Sequence, residues 1–204
     1  MNRSIFLLLL GFFFAAHAFS QDSLILINGK CKWANNPIVD SLDIINYQNE
    51  KGRDRWIDKD EVFAIKKGDL TEIIIYNPDS SFQLTTQQMR DYVRGIGDAR
   101  RYYKDNLFAR TTPYVIGFAS PMVMPLVGLM FVSPVLPAGY SLIMAKKNIK
   151  SKNFQIPERY ISNQNYIDGY TAGSRKKRLI KTLIGSGIGL LLGSATAILV
   201  YENQ

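Results

Sequence analysis

The chain has 204 residues, a formal net charge of +8, one cysteine and one histidine, and a hydrophobic fraction of 47% that averages a polar front half with two long apolar runs. A lone cysteine excludes an internal disulfide. His17, the lone histidine, falls in an expected leader, so the processed chain has no Ser-His or Cys-His nucleophilic machinery and no zinc site built from His and Cys.

Residues 1–20 read as a secretory signal peptide: Arg3 supplies the positive start, Ile5 to Phe14 the apolar core, and small residues close it, with cleavage after Ala18 or after Ser20. Residues 21–82 read as short strands separated by turn residues. Leu24 to Ile27 and Lys30 to Ala34 flank Asn28-Gly29, a hairpin signal in which both central residues take positive φ. Asn35-Asn36-Pro37 is a break. Ser41 to Gln48, Arg53 to Ile57, Glu61 to Lys66 and Thr71 to Tyr76 follow. Five or six antiparallel strands in so short a stretch predict a small β-barrel or rolled sheet. Cys31 is expected as a small buried strand residue. Trp33, Tyr47, Trp56 and Tyr76 form either an aromatic binding face or the filling of the small core.

Residues 85–110 predict an amphipathic helix. Thr85-Thr86-Gln87-Gln88 fits a capping box, and Met89, Tyr92, Ile96, Ala99, Tyr103 and Leu107 recur on one face. Residues 111–145 carry no ionisable acid or base, well beyond the roughly 20 residues a bilayer crossing needs. We read one span from about Pro113 to Val132 with a proline-broken end at Ser133 to Pro137; a tight re-entrant hairpin is the alternative. Residues 146–181 form a basic linker and helix, the helix starting near Ser162. Residues 182–201 form the second membrane helix. Together these elements give an α+β membrane protein: a small β-domain, an amphipathic helix and two transmembrane helices.

Two sets of residues stand out. Gly185, Gly189, Gly193 and Ala197 repeat every four positions, so small residues share one helical face and invite close packing. The partner is either the first span, through Gly117 and Gly128, or a second copy of the chain. Ser186 lies on a flank, where a leucine is expected to matter less. Lys146, Lys147, Arg175, Lys176, Lys177 and Arg178 are expected to set topology or to meet anionic lipid headgroups. Ten Lys and Arg lie in 146–181, four in 96–110 and none after Tyr201. The positive-inside rule then puts 146–181 in the cytoplasm and the C-terminus outside.

The chain resembles a group of uncharacterised exported bacterial membrane proteins that join a small β-domain to two glycine-rich apolar segments. Three stretches carry the resemblance. The first is Glu61 to Lys66 with Glu72 to Tyr76; the second is Gly97-Asp98-Ala99-Arg100-Arg101-Tyr102-Tyr103; the third is Tyr166-Ile167-Asp168-Gly169-Tyr170 followed by Ser174 to Arg178. The resemblance implies architecture only. The two pre-span stretches read as a weak internal repeat.

No catalytic, cofactor or metal residues are predicted. The expected protein is a non-enzymatic module anchored in the bacterial inner membrane, its β-domain on the periplasmic or external side. Its partners would be the lipid bilayer, further copies of the chain through the glycine face, and an envelope protein of unknown identity; nucleic acid is not among them, since no nucleic-acid-binding motif is present. Alternatives are a small channel or transport accessory and a carboxylate-based cell-wall hydrolase using Asp58, Asp60 and Glu61.

Overall fold

The structure, a computed structural model, describes residues 22–69, 71–78, 84–123, 133–146 and 156–202. The expected leader, Gly128 and Lys147 lie outside the described residues. The chain divides between Arg94 and Gly95 into two compact units.

In the first unit seven strands form two antiparallel sheets. They are β1 (Ser23–Leu26), β2 (Cys31–Trp33), β3 (Asn35–Val39), β4 (Ile44–Gln48), β5 (Asp54–Asp58), β6 (Val62–Lys66) and β7 (Glu72–Ile74). One sheet has the order β2-β1-β6-β7 and the other β3-β4-β5. Both are open, which corrects the barrel expectation: β3 leaves β2 directly and starts a separate meander instead of closing the first sheet. The predicted break at Asn35-Asn36-Pro37 is also corrected. These residues begin β3, an edge strand, where a proline without an N–H is tolerated.

Three-residue loops set the hairpins. Leu26 N–H donates to Lys30 O at 2.9 Å around Ile27-Asn28-Gly29, and Asn49 N–H donates to Arg53 O at 3.0 Å around Glu50-Lys51-Gly52. Gly29 and Gly52 take φ of 72° and 68°, while the positive-φ residues other than glycine are Asn36 and Asp43. So Gly29 alone supplies the left-handed residue, not the Asn28-Gly29 pair, as in a type I turn followed by a bulge.

Leu24, Leu26, Ile45, Tyr47, Ile57, Val62 and Ile65 form the core between the sheets. A register shift opposite Ile25/Leu26 turns both Phe63 and Ala64 to the other face of β6. There they meet Tyr76, Met89 and Val93, so a helix covers the back of the first sheet. That helix, α1 (Thr86–Tyr102), begins with a reciprocal capping box: Thr85 N–H donates to Gln88 Oε1 at 2.8 Å, and Gln88 N–H to Thr85 Oγ1 at 3.3 Å.

The remaining helices are α2 (Leu107–Val123), α3 (Val135–Lys146) and α4 (Gln164–Glu202). The amphipathic helix ends at Tyr102, not 110. Asn106 stops it, because its Oδ1 accepts from Ala109 N–H at 2.9 Å and caps a new helix. Asn163 caps α4 in the same way, through Tyr166 N–H at 3.1 Å. The expected boundary at 182 is absent: α4 runs unbroken for 39 residues from its polar start through the apolar run. Pro121 removes an N–H from α2, and the carbonyl it frees, Gly117 O, accepts from Ser120 Oγ at 3.1 Å.

Contacts fix the helix directions in the second unit. Small residues along α4 meet α1 and α2 in rising order. Gly173 lies on Ile96 and Ala99, Gly185 on Pro113 and Tyr114, and Gly193 on Phe118 and Pro121. The path from Gly95 through α2 therefore runs parallel to α4. α3 runs the other way, since Ser141 meets Ser186 while Met144 meets Arg178. Among the described residues α2 and α3 are thus the two legs of a hairpin against α4. In place of one continuous helix from Pro113 to Val132, the described residues of 111–145 give two helices of opposite direction on α4.

Candidate functional site

The chemistry of the second unit concentrates where α1 gives way to α2. Tyr103 to Asn106 form the turn, and α4 passes beside it with Lys177 and Arg178. A helix end leaves carbonyls without partners. Lys177 Nζ donates to three of them, Arg100 O at 2.5 Å, Tyr103 O at 2.8 Å and Ala99 O at 3.4 Å. Arg178 Nε donates to Asp105 Oδ1 at 2.9 Å, with side chains only 7% and 4% exposed. Its Nη1 reaches Met144 O at 3.3 Å and its Nη2 the Tyr103 hydroxyl. Tyr103 in turn donates to Asp105 Oδ1 at 2.6 Å. One guanidinium therefore ties α4 to the α1–α2 turn and to the end of α3.

The electrostatics follow from burial. The Tyr103 hydroxyl is pushed up to about 12, first by burial and then by the hydrogen bond to Asp105. Partial burial, and then the Lys181 cation, pull the Lys177 ammonium below its usual range. Tyr166 is also raised, by burial first and then by the bond it donates to Asp98 at 2.8 Å.

Within the basic run, Arg178 is 5% exposed and Lys177 donates to carbonyls, so both side chains are engaged inside the fold. Lys146, Arg175 and Lys176 are exposed. A run of five consecutive polar or basic residues reads as surface by default; only the three-dimensional position of Asp105 reveals which two turn inward.

Above this node lies the glycine face, occupied by α2 of the same chain. A Cβ at Gly189 would lie 2.9 Å from Phe118 N, and one at Gly117 2.9 Å from Leu190 N. At Gly193 it would lie 2.7 Å from Pro121 Cγ, and Ala197 is buried further along. Of the two partners the sequence left open, α2, from the first apolar run, lies against this face in the described chain. Ser186 is corrected from flank to interface: it is 2% exposed, and its hydroxyl lies 3.4 Å from that of Ser141. Gly187, one position from Ser186, faces open space.

Below the node, Gly95 sits on the backbone of Tyr166 and Tyr170, and Tyr160 stacks on Tyr166 at 4.4 Å. The two pre-span stretches singled out in the sequence thus pack on each other.

In the β-unit the four aromatic residues divide. Tyr47 and Tyr76 fill the core, while Trp33 and Trp56 are 53% and 68% exposed. Trp56 and Ile38 flank Asn46 on the outer face of the three-stranded sheet. Cys31 is exposed, correcting its expected burial, because β2 is an edge strand. Asp58, Asp60 and Glu61 are exposed. Asp60 lines a cleft of about 180 Å³ with Asp43, whose carboxylate is paired with Lys59 at 2.9 Å. No protein-family model, curated protein or solved structure matches the chain.

Proposed function

We propose that the protein is a non-enzymatic, membrane-anchored interaction or scaffold module of a bacterial cell envelope, with α2, α3 and the apolar half of α4 in the lipid bilayer. The observation that carries this is the inverted packing of the bundle. Its interior holds Gly117, Ser141, Ser186 and Gly189, while Val115, Leu142, Ile184, Leu191 and Leu199 point outward and are more than half exposed. In water such a surface would associate. In lipid it is the favoured arrangement, because helix contact there rests on close packing of small residues. Among the described residues, α4 alone is long and apolar enough to cross a membrane by itself.

Because Asp105 and Arg178 are in contact, the chain before α2 and the basic stretch before the apolar half of α4 share one side of the bilayer. Leader and basic stretch then cannot obey both export and the positive-inside rule. We infer that the leader prevails, since the first segment usually dominates orientation. The β-unit, with Trp33 and Trp56 available to an envelope partner, and residues 146–181 lie outside the inner membrane; the C-terminus lies in the cytoplasm. Three of the hydroxyls that a channel reading would use already have partners: Ser120 and Ser141 bond to carbonyls, and Thr182 to Arg178 O at 3.0 Å.

The test is cysteine labelling in a Cys31→Ser background. Tyr102→Cys and Lys176→Cys should both react with an impermeant reagent in intact spheroplasts. Labelling of one and protection of the other would overturn the hairpin arrangement. Protection of both would overturn the exported orientation.

A further inference from the structure

A cleft of about 380 Å³ opens between the start of α2 and the middle of α4, at the level of the Asp105–Arg178 pair. Arg110 and Lys181 line it, and Leu107, Tyr114 and Ile184 form its apolar side. Asp105 also reaches it, but that carboxylate is held by Arg178 and by the Tyr103 hydroxyl. Lys59–Asp43, Arg90–Glu72 and Arg178–Asp105 are ion pairs of the described residues, and neither Arg110 nor Lys181 takes part in them. The net charge facing the cleft is therefore positive.

We infer that this cleft binds the phosphodiester headgroup of an anionic phospholipid, with Arg110 and Lys181 on the phosphate and Leu107, Tyr114 and Ile184 against the first part of the acyl chains. The inference rests on the membrane reading above. What favours a lipid over free phosphate is continuity. Leu107, Phe108 and Ile184 are 74%, 70% and 56% exposed, so the apolar wall runs without interruption onto the outer surface of the bundle. A guanidinium and an ammonium at a polar–apolar boundary between helices suit a diffuse double-oxygen acceptor. The two cations lie on the last charged turn before each apolar run, where a headgroup sits. Lys181 closes the basic stretch that the sequence points to, while Arg110 lies outside it; they are 71 positions apart, and only the parallel packing of α2 on α4 brings them together.

The experiment uses the full chain reconstituted in vesicles, then released into detergent and examined by native mass spectrometry for retained lipid. Phosphatidylglycerol should be retained over phosphatidylcholine. Each of Arg110→Ala and Lys181→Ala should weaken retention about fivefold, the fold-change of about 1 kcal/mol per basic residue near a membrane surface. Lys146→Ala with Lys176→Ala, two exposed cations away from the cleft, should change it less than twofold. An equal loss in that control pair would mean a diffuse electrostatic film and would overturn the site. Displacement of the lipid by inorganic phosphate would overturn the lipid source. Resistance of the wild-type chain to alkaline extraction from the vesicles is measured in parallel. Loss of that resistance sinks the membrane reading itself, whereas retained embedding without phosphatidylglycerol preference sinks only the site.

Discussion

Gly189 and Gly187 stand two residues apart in the same helix and differ in what surrounds them. A Cβ at Gly187 meets nothing within 4 Å; at Gly189 it would meet the backbone of Tyr114, Gly117 and Phe118, with Phe118 N at 2.9 Å and Gly117 Cα at 3.1 Å. Ordinary contact for a Cβ begins at 3.4 Å, so Gly189→Ala forces α2 and α4 apart by at least 0.5 Å along that line. Backbone cannot rotate out of the way as a side-chain end can. Overpacking of this kind costs about 1–3 kcal/mol. Both variants gain the same helix preference of alanine over glycine, about 1 kcal/mol at most, so that term cancels in the comparison. Gly189→Ala should therefore lie about 1–3 kcal/mol below Gly187→Ala in stability. Denaturant titration of helix content in detergent micelles measures the gap, and spin-label distances between α2 and α4 report the separation directly. Ser186→Leu should be at least as damaging as Gly189→Ala, since its side chain is enclosed against Ser141. Equal stabilities for the two alanine variants would refute the close approach of α2 and α4 and the parallel arrangement built on it.

Arg178→Met should destabilise by about 3–5 kcal/mol, because it leaves Asp105 charged at 4% exposure. Adding Asp105→Leu should restore most of this, and an additive double-mutant cycle would refute the pairing. Tyr103 has a folded-state value raised above that of the unfolded chain, so its stabilisation is complete below pH 10 and is lost as pH rises through about 12. Thermal melts of the wild type should therefore decline between pH 10 and 12, and Tyr103→Phe, less stable at neutral pH, should flatten that part of the decline.

Much of the layout is legible in the sequence, and the failures have physical causes. Turn residues mark the strands because Gly29 and Gly52 sit where the backbone needs a left-handed residue. Pro37 misleads because a proline is forbidden only where its N–H is needed, and edge position is a property of the sheet. The charged stretch Arg175 to Lys181 misleads about α4 because a helix does not end where polarity changes; it ends where backbone partners or caps intervene. The glycine series announces close packing, but not with what. The node at Arg178 is invisible, since 73 residues separate it from Asp105 and neither residue is unusual in its own neighbourhood.

The parallel seating of Gly95 to Pro121 along Tyr166 to Gly193 carries a consequence for biosynthesis. Each contact joins residues about 70 positions apart, so α2 leaves the ribosome long before its partner exists. In that interval Gly117 presents an open backbone groove, and the turn at Asp105 carries a carboxylate whose counter-ion has not yet been made. Closure of the bundle must therefore wait for α4, and on the proposed membrane reading it follows insertion of α2. Truncated chains ending before α4 should hold α2 unpartnered and be cleaved faster by added protease than the full chain.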